Sequence, residues 1–516
     1  MSTRRRFLIL AAAAAFLRPA VAVEIDVSQY REDVKTLSSD KFKGRLSGTR
    51  ELDEAAGFLA SRFRSLGLKP AGEDGFFQRF LVTTGARLRG SNSLTWQLNG
   101  ESGGLKLEED FVPLAISASG NVSGQVVFAG YGITASEYGY DDYEGLDVRG
   151  KIVLVMRHEP QEYDVRSVFG GRVYTNHAQL ESKVVNAAGR GAAALILVDD
   201  SPSHRGTTEL EKLGRAIGPD SPGIPVVEIR PGIAERWIQS AGRSFEEVVR
   251  AIDDDLRPRS FVFPGSLRLR LSVQIDRETQ PVSNVLAWLP GETDEYVIVG
   301  AHYDHVGRGE QYSMDPSRKG MVHPGADDNA SGVAGILALA RWFSGQPLRK
   351  RGILFAAFAG EEFGLLGSNH YIHKPPRPLG KAVAMINLDM IGRIRGNKVY
   401  VGGTETSSDF KALVEELNRA EGAGFEIEAD DPGDYGSSDH YSFTTRQVPF
   451  LFFFSGLHPD YHTPSDTWDK VDAPQAARLL TVVGRIIERI LGAEQRPRFE
   501  KRVRPYKEQA RQAQRM

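Results

Sequence analysis

At 516 residues the chain is too long for one compact domain, and 41% hydrophobic with 25% charged residues is an ordinary globular balance. A net charge of −3 excludes a global nucleic-acid-binding surface. There is no cysteine, which excludes disulfides and thiolate ligands, so any metal must rest on His, Asp or Glu.

Residues 1–22 open with Arg4, Arg5 and Arg6, continue with an apolar run from Phe7 to Leu17, and end in Ala20-Val21-Ala22. The run is too short to cross a bilayer, and the ending is an A-x-A cleavage pattern, so the segment reads as a removable export signal. Thr3-Arg4-Arg5-Arg6-Phe7-Leu8 also resembles a bacterial twin-arginine signal. A periplasmic or extracellular location is the expectation. Losing these residues removes four arginines and no acid, which takes the net charge from −3 to −7. No other segment is apolar enough for a membrane span.

Residues 23–115 are expected to form an N-terminal segment, helical over 24–90. Leu37, Ala55, Phe58, Leu59, Phe63 and Leu66 fall at near-helical spacing, and Gly67 is a stop signal. Residues 91–115 read as strand-rich. Residues 116–275 are expected to form a separate small α/β unit, with strands at 125–129, 151–156, 193–198 and 224–229 and helices at 180–188 and 233–240. Gly130-Tyr131-Gly132, Leu146 through Val153, Lys183 through Ala194 and Ile224-Pro225-Val226-Val227 occur here in order. On these pieces the stretch resembles the protease-associated domain inserted in several exopeptidase families. It holds no catalytic constellation, and surface or turn roles suit His158, His177 and His204.

Residues 276–495 alternate strands and helices, which predicts a mostly parallel sheet covered on both faces, a three-layer αβα arrangement. Strands are predicted at 283–288, 296–301, 351–357, 382–388 and 449–454, and helices at 331–344, 408–421 and 474–491. Phe450 through Phe454 form a continuous apolar run, as a strand buried on both faces requires. The tail, 496–516, carries eight Lys/Arg against two acids and reads as a solvated end.

Open parallel sheets bind ligands at the carboxyl ends of their strands. There the sequence places His302-Tyr303-Asp304, Glu361-Glu362, Asp389 and, after a short loop, Tyr461-His462. The loop Gly325-Ala326-Asp327-Asp328-Asn329-Ala330-Ser331-Gly332 opens a helix between the first two. Taken singly, each is a loop residue, a cap or a solvated acid. Together they mass carboxylates at one edge, where a divalent metal would relieve their repulsion. Asp304 points the same way as His302, close enough to hydrogen-bond its second ring nitrogen.

These motifs resemble the co-catalytic zinc peptidases that include bacterial leucyl aminopeptidases, plasma glutamate carboxypeptidase and the glutamate carboxypeptidases related to transferrin receptor. Glutaminyl cyclases share the fold. The resemblance covers 276–480 and, as the family's N-terminal helical segment, 24–90. It implies two zinc ions, one on His302 and Asp389, the other on Glu362 and His462, with Asp328 bridging and Asp327 its nearest competitor. It implies Glu361 as general base and a tyrosine as donor to the developing oxyanion, Tyr435 ahead of Tyr461. Asp439 and His440 would support the site from behind, with His440 as a ligand the weaker choice. His305, His323, His370, His373 and His458 receive no role. The implied activity is that of an exopeptidase on peptide substrates, foremost an aminopeptidase. A carboxypeptidase, with Arg393 for the terminal carboxylate, a one-zinc glutaminyl cyclase and a non-catalytic binding protein are the alternatives. The stretch 308–323 is either cleft rim or plain loop.

Overall fold

The computed structural model describes residues 24–500 except 136–137, 165, 170, 172–174, 176, 200–209, 212–216, 220–222, 264–266, 348 and 430–437. The signal segment, most of the basic tail and Tyr435 therefore lie outside the described residues. Among those described, no helix is long and apolar enough to cross a membrane.

The first sheet is ordered Gly218–Pro219, Phe77–Leu88, Ile275–Leu289, Gly352–Phe358, Tyr296–His302, Ala382–Leu388, Phe450–Phe454, Lys398–Gly402, Glu426–Ala429. Its centre is parallel from Gly352–Phe358 to Phe450–Phe454. The strands on either side of that centre pair antiparallel to it. Side chains alternate between the two faces of the Tyr296–His302 strand. Val297, Val299 and Ala301 join a core beneath the helices Val27–Leu37, Arg50–Ser65, Gly332–Ser344 and Ala473–Gly492. Tyr296 and Ile298 join a smaller core with Tyr371 and Phe443, from the helices Leu366–His373 and His440–Thr444. The three-layer αβα reading holds.

Local signals fix the helix ends. Asp26 accepts from Gln29 N–H and Thr49 from Leu52 N–H, which caps the two N-terminal helices. The second ends at Ser65, and Gly67 turns away at a φ of +76°. Helix over the whole of 24–90 is not what forms. Phe77–Leu88 is a twelve-residue strand lying antiparallel on Ile275–Leu289, with Phe77 opposite Val285 and Leu88 opposite Ile275. Pairing with a segment some two hundred positions away overrides the local reading.

This ribbon is the root of the insertion. The chain leaves along Phe77–Leu88 and returns along Ile275–Leu289. Between them lies a second sheet, ordered Glu101–Leu105, Ser93–Leu98, Arg268–Val273, Gly120–Phe128, Ile152–Met156, Ala194–Val198, Val226–Ile229, Phe111–Pro113. The boundary expected at 115/116 falls inside this sheet, because Ser93–Leu98 and Phe111–Pro113 pair with Arg268–Val273 and Val226–Ile229. The helix Leu180–Gly189 covers one face, and Pro231–Ser240 with Phe245–Asp255 covers the other. One piece of the insert comes back: Gly218–Pro219 pairs with Thr83 and Val82 at the edge of the first sheet.

Candidate metal centre and active site

The strands of the parallel centre end where the polar residues begin. His302 closes its own strand, Glu361 and Glu362 follow Phe358, and Asp389 follows Leu388. The loop at 325–332 is stitched to 388–392 by every second residue. Asp327 Oδ1 accepts from Gly392 N–H at 2.7 Å, and Asn329 Oδ1 accepts from Met390 N–H at 3.2 Å. Asn329 Nδ2 donates to the Leu388 carbonyl at 2.9 Å, and Ser331 Oγ accepts from Ile391 N–H at 3.0 Å. Asp328 lies between these anchors and faces the other way. Asp328 falls in both donor groups described next, whereas Asp327 turns to Gly392 and to His458, whose Nε2 is 3.2 Å from Oδ2.

Two groups of donor atoms share Asp328: His302, Asp328 and Asp389 in one, His305, Asp328, Glu362 and His462 in the other, the atoms of each within 4.8 Å of one another. The five residues expected from the sequence as ligands all fall in these two groups. His302 Nε2 lies 3.3 Å from both Asp328 Oδ1 and Asp389 Oδ1. His462 Nε2 lies 3.0 Å from Asp328 Oδ2 and 2.9 Å from Glu362 Oε2. His462 Nδ1–H donates to the Tyr312 carbonyl at 2.8 Å, so Nε2 is the nitrogen turned to the two carboxylates, and it offers them a proton or, once deprotonated, offers a metal its lone pair. His302 does likewise, with Nδ1–H on the Asp304 carbonyl at 3.3 Å. Imidazole nitrogens massed against carboxylate oxygens call for positive charge, either a proton on the ring or a metal ion, and this donor set of imidazole and carboxylate fits zinc.

The titration of these groups reports the same need. Burial opposes charge on His302, yet Asp389 and Glu361 hold its pKa well above the ordinary value. Burial likewise opposes charge on His462, and Glu362 with Asp328 overrides it. Burial would raise Asp328, but His302 and His462 hold it well below the ordinary carboxylate range. Burial and Asp328 push Glu362 up, while His462 and His305 bring it down to about 2. Glu361 is different. Burial, Asp389 and Glu362 raise it well above its ordinary value against the pull of His302, and its Oε2 stands 3.9 Å from His302 Nε2, outside both donor groups.

Asp304 departs from expectation. Its carboxylate is 3.8 Å from His302 Nδ1, and the backbone carbonyl of the same residue takes that contact. The carboxylate is occupied instead by Glu361 N–H at 3.1 Å and Ser47 Oγ–H at 3.1 Å. Asp304 thus fixes the backbone of Glu361 and not the ring of His302. His440 is not a ligand among the described residues: its ring stacks on Phe452 at 4.4 Å, and Asn387 Nδ2 lies 3.4 Å from its Nδ1. Asp439 is buried behind the site, raised to about 7 by burial. Tyr461 stacks on His462 with ring centroids 3.9 Å apart. Burial raises its phenol, and so do Asp328, Glu362, Glu361 and Asp389 around it.

Two residues escaped the sequence reading. His305 is fully buried and donates from Nδ1 to Glu362 Oε1 at 2.6 Å. Its position three beyond His302 on the same strand exit was the available signal. Arg45 is 0% exposed and donates to the carbonyls of Leu37, Tyr303, Pro324 and Gly325 at 2.7–2.9 Å. It ties the N-terminal helices to both the His302 exit and the Asp328 loop. A single arginine in a polar stretch carries no such signal.

Residues 284–487 match peptidase family M28, and residues 122–237 match the PA domain. Residues 284–487 form a domain of peptidase family M28. The chain is a hydrolase of the metallopeptidase type, with the second sheet as its inserted PA domain. The aminopeptidase YwaD of Bacillus subtilis (strain 168) is 26% identical over 479 residues, spanning 90% of this chain and 85% of the relative. A probable glutamate carboxypeptidase of Arabidopsis thaliana is 24% identical, spanning 82% of this chain and 61% of its own length. Among solved structures, an aminopeptidase from Aneurinibacillus sp. strain AM-1 shares the fold with a TM-score of 0.50 at 21% identity, covering 93% of this chain and 97% of that one.

Proposed function

We propose that this protein is an exported dinuclear zinc aminopeptidase. The observation that carries the reading is the pair of donor groups meeting at Asp328, with Glu361 beside them and bound to neither. His302, Asp389 and Asp328 would hold one zinc, and Asp328, Glu362 and His462 the other, with His305 behind Glu362. Two such ions supply an acidified water and an electrophile for the scissile carbonyl. Glu361, raised by burial and by its acidic neighbours, is suited to take the proton of the attacking water and return it to the leaving amine. Asp304 holds the Glu361 backbone in place. Tyr461, with its phenol among the site acids, is a donor for the developing oxyanion; Tyr435 remains the other candidate from sequence.

Arg393 speaks against a carboxypeptidase. Its Nη1 is held by Asp460 Oδ2 at 2.6 Å, so its charge is already answered within the chain. The complete double ligand set speaks against a one-zinc cyclase and a non-catalytic binder. Relatives named aminopeptidase support the substrate class. Export rests on residues 1–22, and amino-terminal sequencing of the protein from a bacterial host should find Val23 first in the periplasmic or secreted fraction.

The central test is metal analysis with an aminoacyl-arylamide assay. Two zinc ions per chain and chelator-sensitive release of the amino-terminal residue are expected. Glu361→Gln should keep both metals and lose several orders of magnitude in kcat. A variant that stays active would remove Glu361 from the role of base. Tyr461→Phe and Tyr435→Phe, assayed side by side, identify the oxyanion donor by the larger fall in kcat.

A further inference from the structure

The inserted domain brings to the cleft an acid that the peptidase chemistry does not use. Glu181 stands in the first turn of the helix Leu180–Gly189 and is 8% exposed. Its Oε2 is buried and, among the described residues, without a hydrogen-bond partner. Arg157, the arginine of this domain near Tyr312, is committed elsewhere, 3.3 Å from Glu211 and 3.5 Å from Glu228. A carboxylate desolvated without a counter-charge costs stability, and burial accordingly lifts this one to about 7.

The surroundings of Glu181 belong to the rim of the metal centre. A Cβ on Gly364, two residues beyond Glu362, would stand 3.5 Å from both Cβ and Cγ of Glu181 and 3.6 Å from Gln179 Oε1. The Tyr312 ring meets Phe363 at 5.9 Å, and the Tyr312 carbonyl anchors His462. Ile217 of the insert packs with Phe363 and Leu46, and its N–H donates to Gln311 Oε1 at 2.7 Å. Tyr312 and Met314 nonetheless remain 40% and 48% exposed, an apolar wall open to a ligand.

The position selects the ligand. The α-amino group of a substrate sits next to the attacked carbonyl and must lie against the metal ligands. Glu181 lies further out, its stem against Gly364 and its Oε1 3.4 Å from where a Cβ on Gly218 would stand. The end of a long side chain, its methylenes along the apolar wall, spans that gap. We propose that Glu181 is a specificity residue supplied by the inserted domain, receiving the ammonium or guanidinium of a lysine or arginine at the amino terminus of the peptide. This rests on the aminopeptidase reading above.

The test uses the zinc-loaded full chain with lysyl-, arginyl- and norleucyl-arylamides, norleucine having the lysine stem without its charge. The wild type should prefer lysyl to norleucyl substrate. Glu181→Gln should lower the lysyl-to-norleucyl ratio of kcat/KM at least tenfold, chiefly through KM, and Glu181→Lys should turn the preference toward glutamyl substrate. An unchanged ratio overturns the proposal, whether both rates hold or both fall together, because a helix-start acid of merely structural value would move them in parallel. Failure of the wild type on every free-amino arylamide would instead sink the aminopeptidase reading, and this inference with it.

Discussion

At the scale of single residues the proposed site separates groups that would touch a metal from groups that would aim them. His305 belongs to the second kind. Its Nδ1–H on Glu362 Oε1 fixes which carboxylate oxygen is left to face His462. His305→Ala should therefore weaken one zinc by about 10–100-fold while leaving the other, with His305→Gln intermediate. Competition against a fluorescent chelator measures this; equal loss of both ions would place His305 outside the Glu362 side. Glu181 makes a prediction of another sort. Its folded value of about 7 lies above that of an exposed glutamate, so the folded chain holds the proton more tightly than the unfolded one. The stability contributed by that proton is present at low pH and is lost as pH climbs from about 4 to about 7. Glu181→Gln should thus stabilise the protein by roughly 2 kcal/mol more at pH 8 than at pH 5, read from denaturant unfolding. A gain equal at both pH values would mean the carboxylate finds a counter-charge in the folded chain.

At the scale of elements, the strands and their exits were legible, and the supports between elements were not. Ala382–Leu388 forms with the predicted bounds, and the helix predicted at 474–491 forms as Ala473–Gly492. Continuous apolar runs and capping residues are local signals, so they survive without knowledge of neighbours. His302, Asp389 and Glu362 could be placed because each follows a buried strand. Phe77–Leu88 could not, since its partner lies across the whole insertion. Asp304 was read in the right place with the wrong partner. Its side chain was contested by Ser47 and by the Glu361 amide, and neither is adjacent in sequence. Arg45 is the extreme case. Four carbonyls from three segments converge on its guanidinium, and burial lowers its pKa to about 10 although Asp328 and Asp304 favour the charge. Arg45→Met should cost about 3–5 kcal/mol in denaturant unfolding, because the four acceptors stay buried without donors. Arg45→Lys should recover only part of this, since an ammonium cannot match the fork. A loss below about 1 kcal/mol would show that water replaces the guanidinium.

For the whole molecule, metal binding, folding and protonation are one linked equilibrium. The three-layer body presents the donors, the N-terminal helices brace them through Arg45, and the insert returns to the cleft through Gly218–Pro219 and Ile217. Without metal, His302 and His462 are held charged by Asp389, Glu361, Glu362 and Asp328 against the opposition of burial. These raised imidazoles support the metal-free fold below their own values, and that support fades as pH rises through them. A metal needs the same nitrogens unprotonated, so its uptake near neutral pH must expel protons. Acid then opposes the metal twice, by filling its site and by supplying the charge it would have brought. The stabilisation from excess zinc grows with the logarithm of its affinity. The gap in Tm between zinc-loaded and chelated protein should accordingly be wide at pH 7.5 and narrow at pH 5. Titration calorimetry of zinc in buffers of different ionisation enthalpy should show at least one proton released per chain at pH 7. A gap that does not change with pH, or uptake without proton release, would mean that His302 and His462 do not bind the metal.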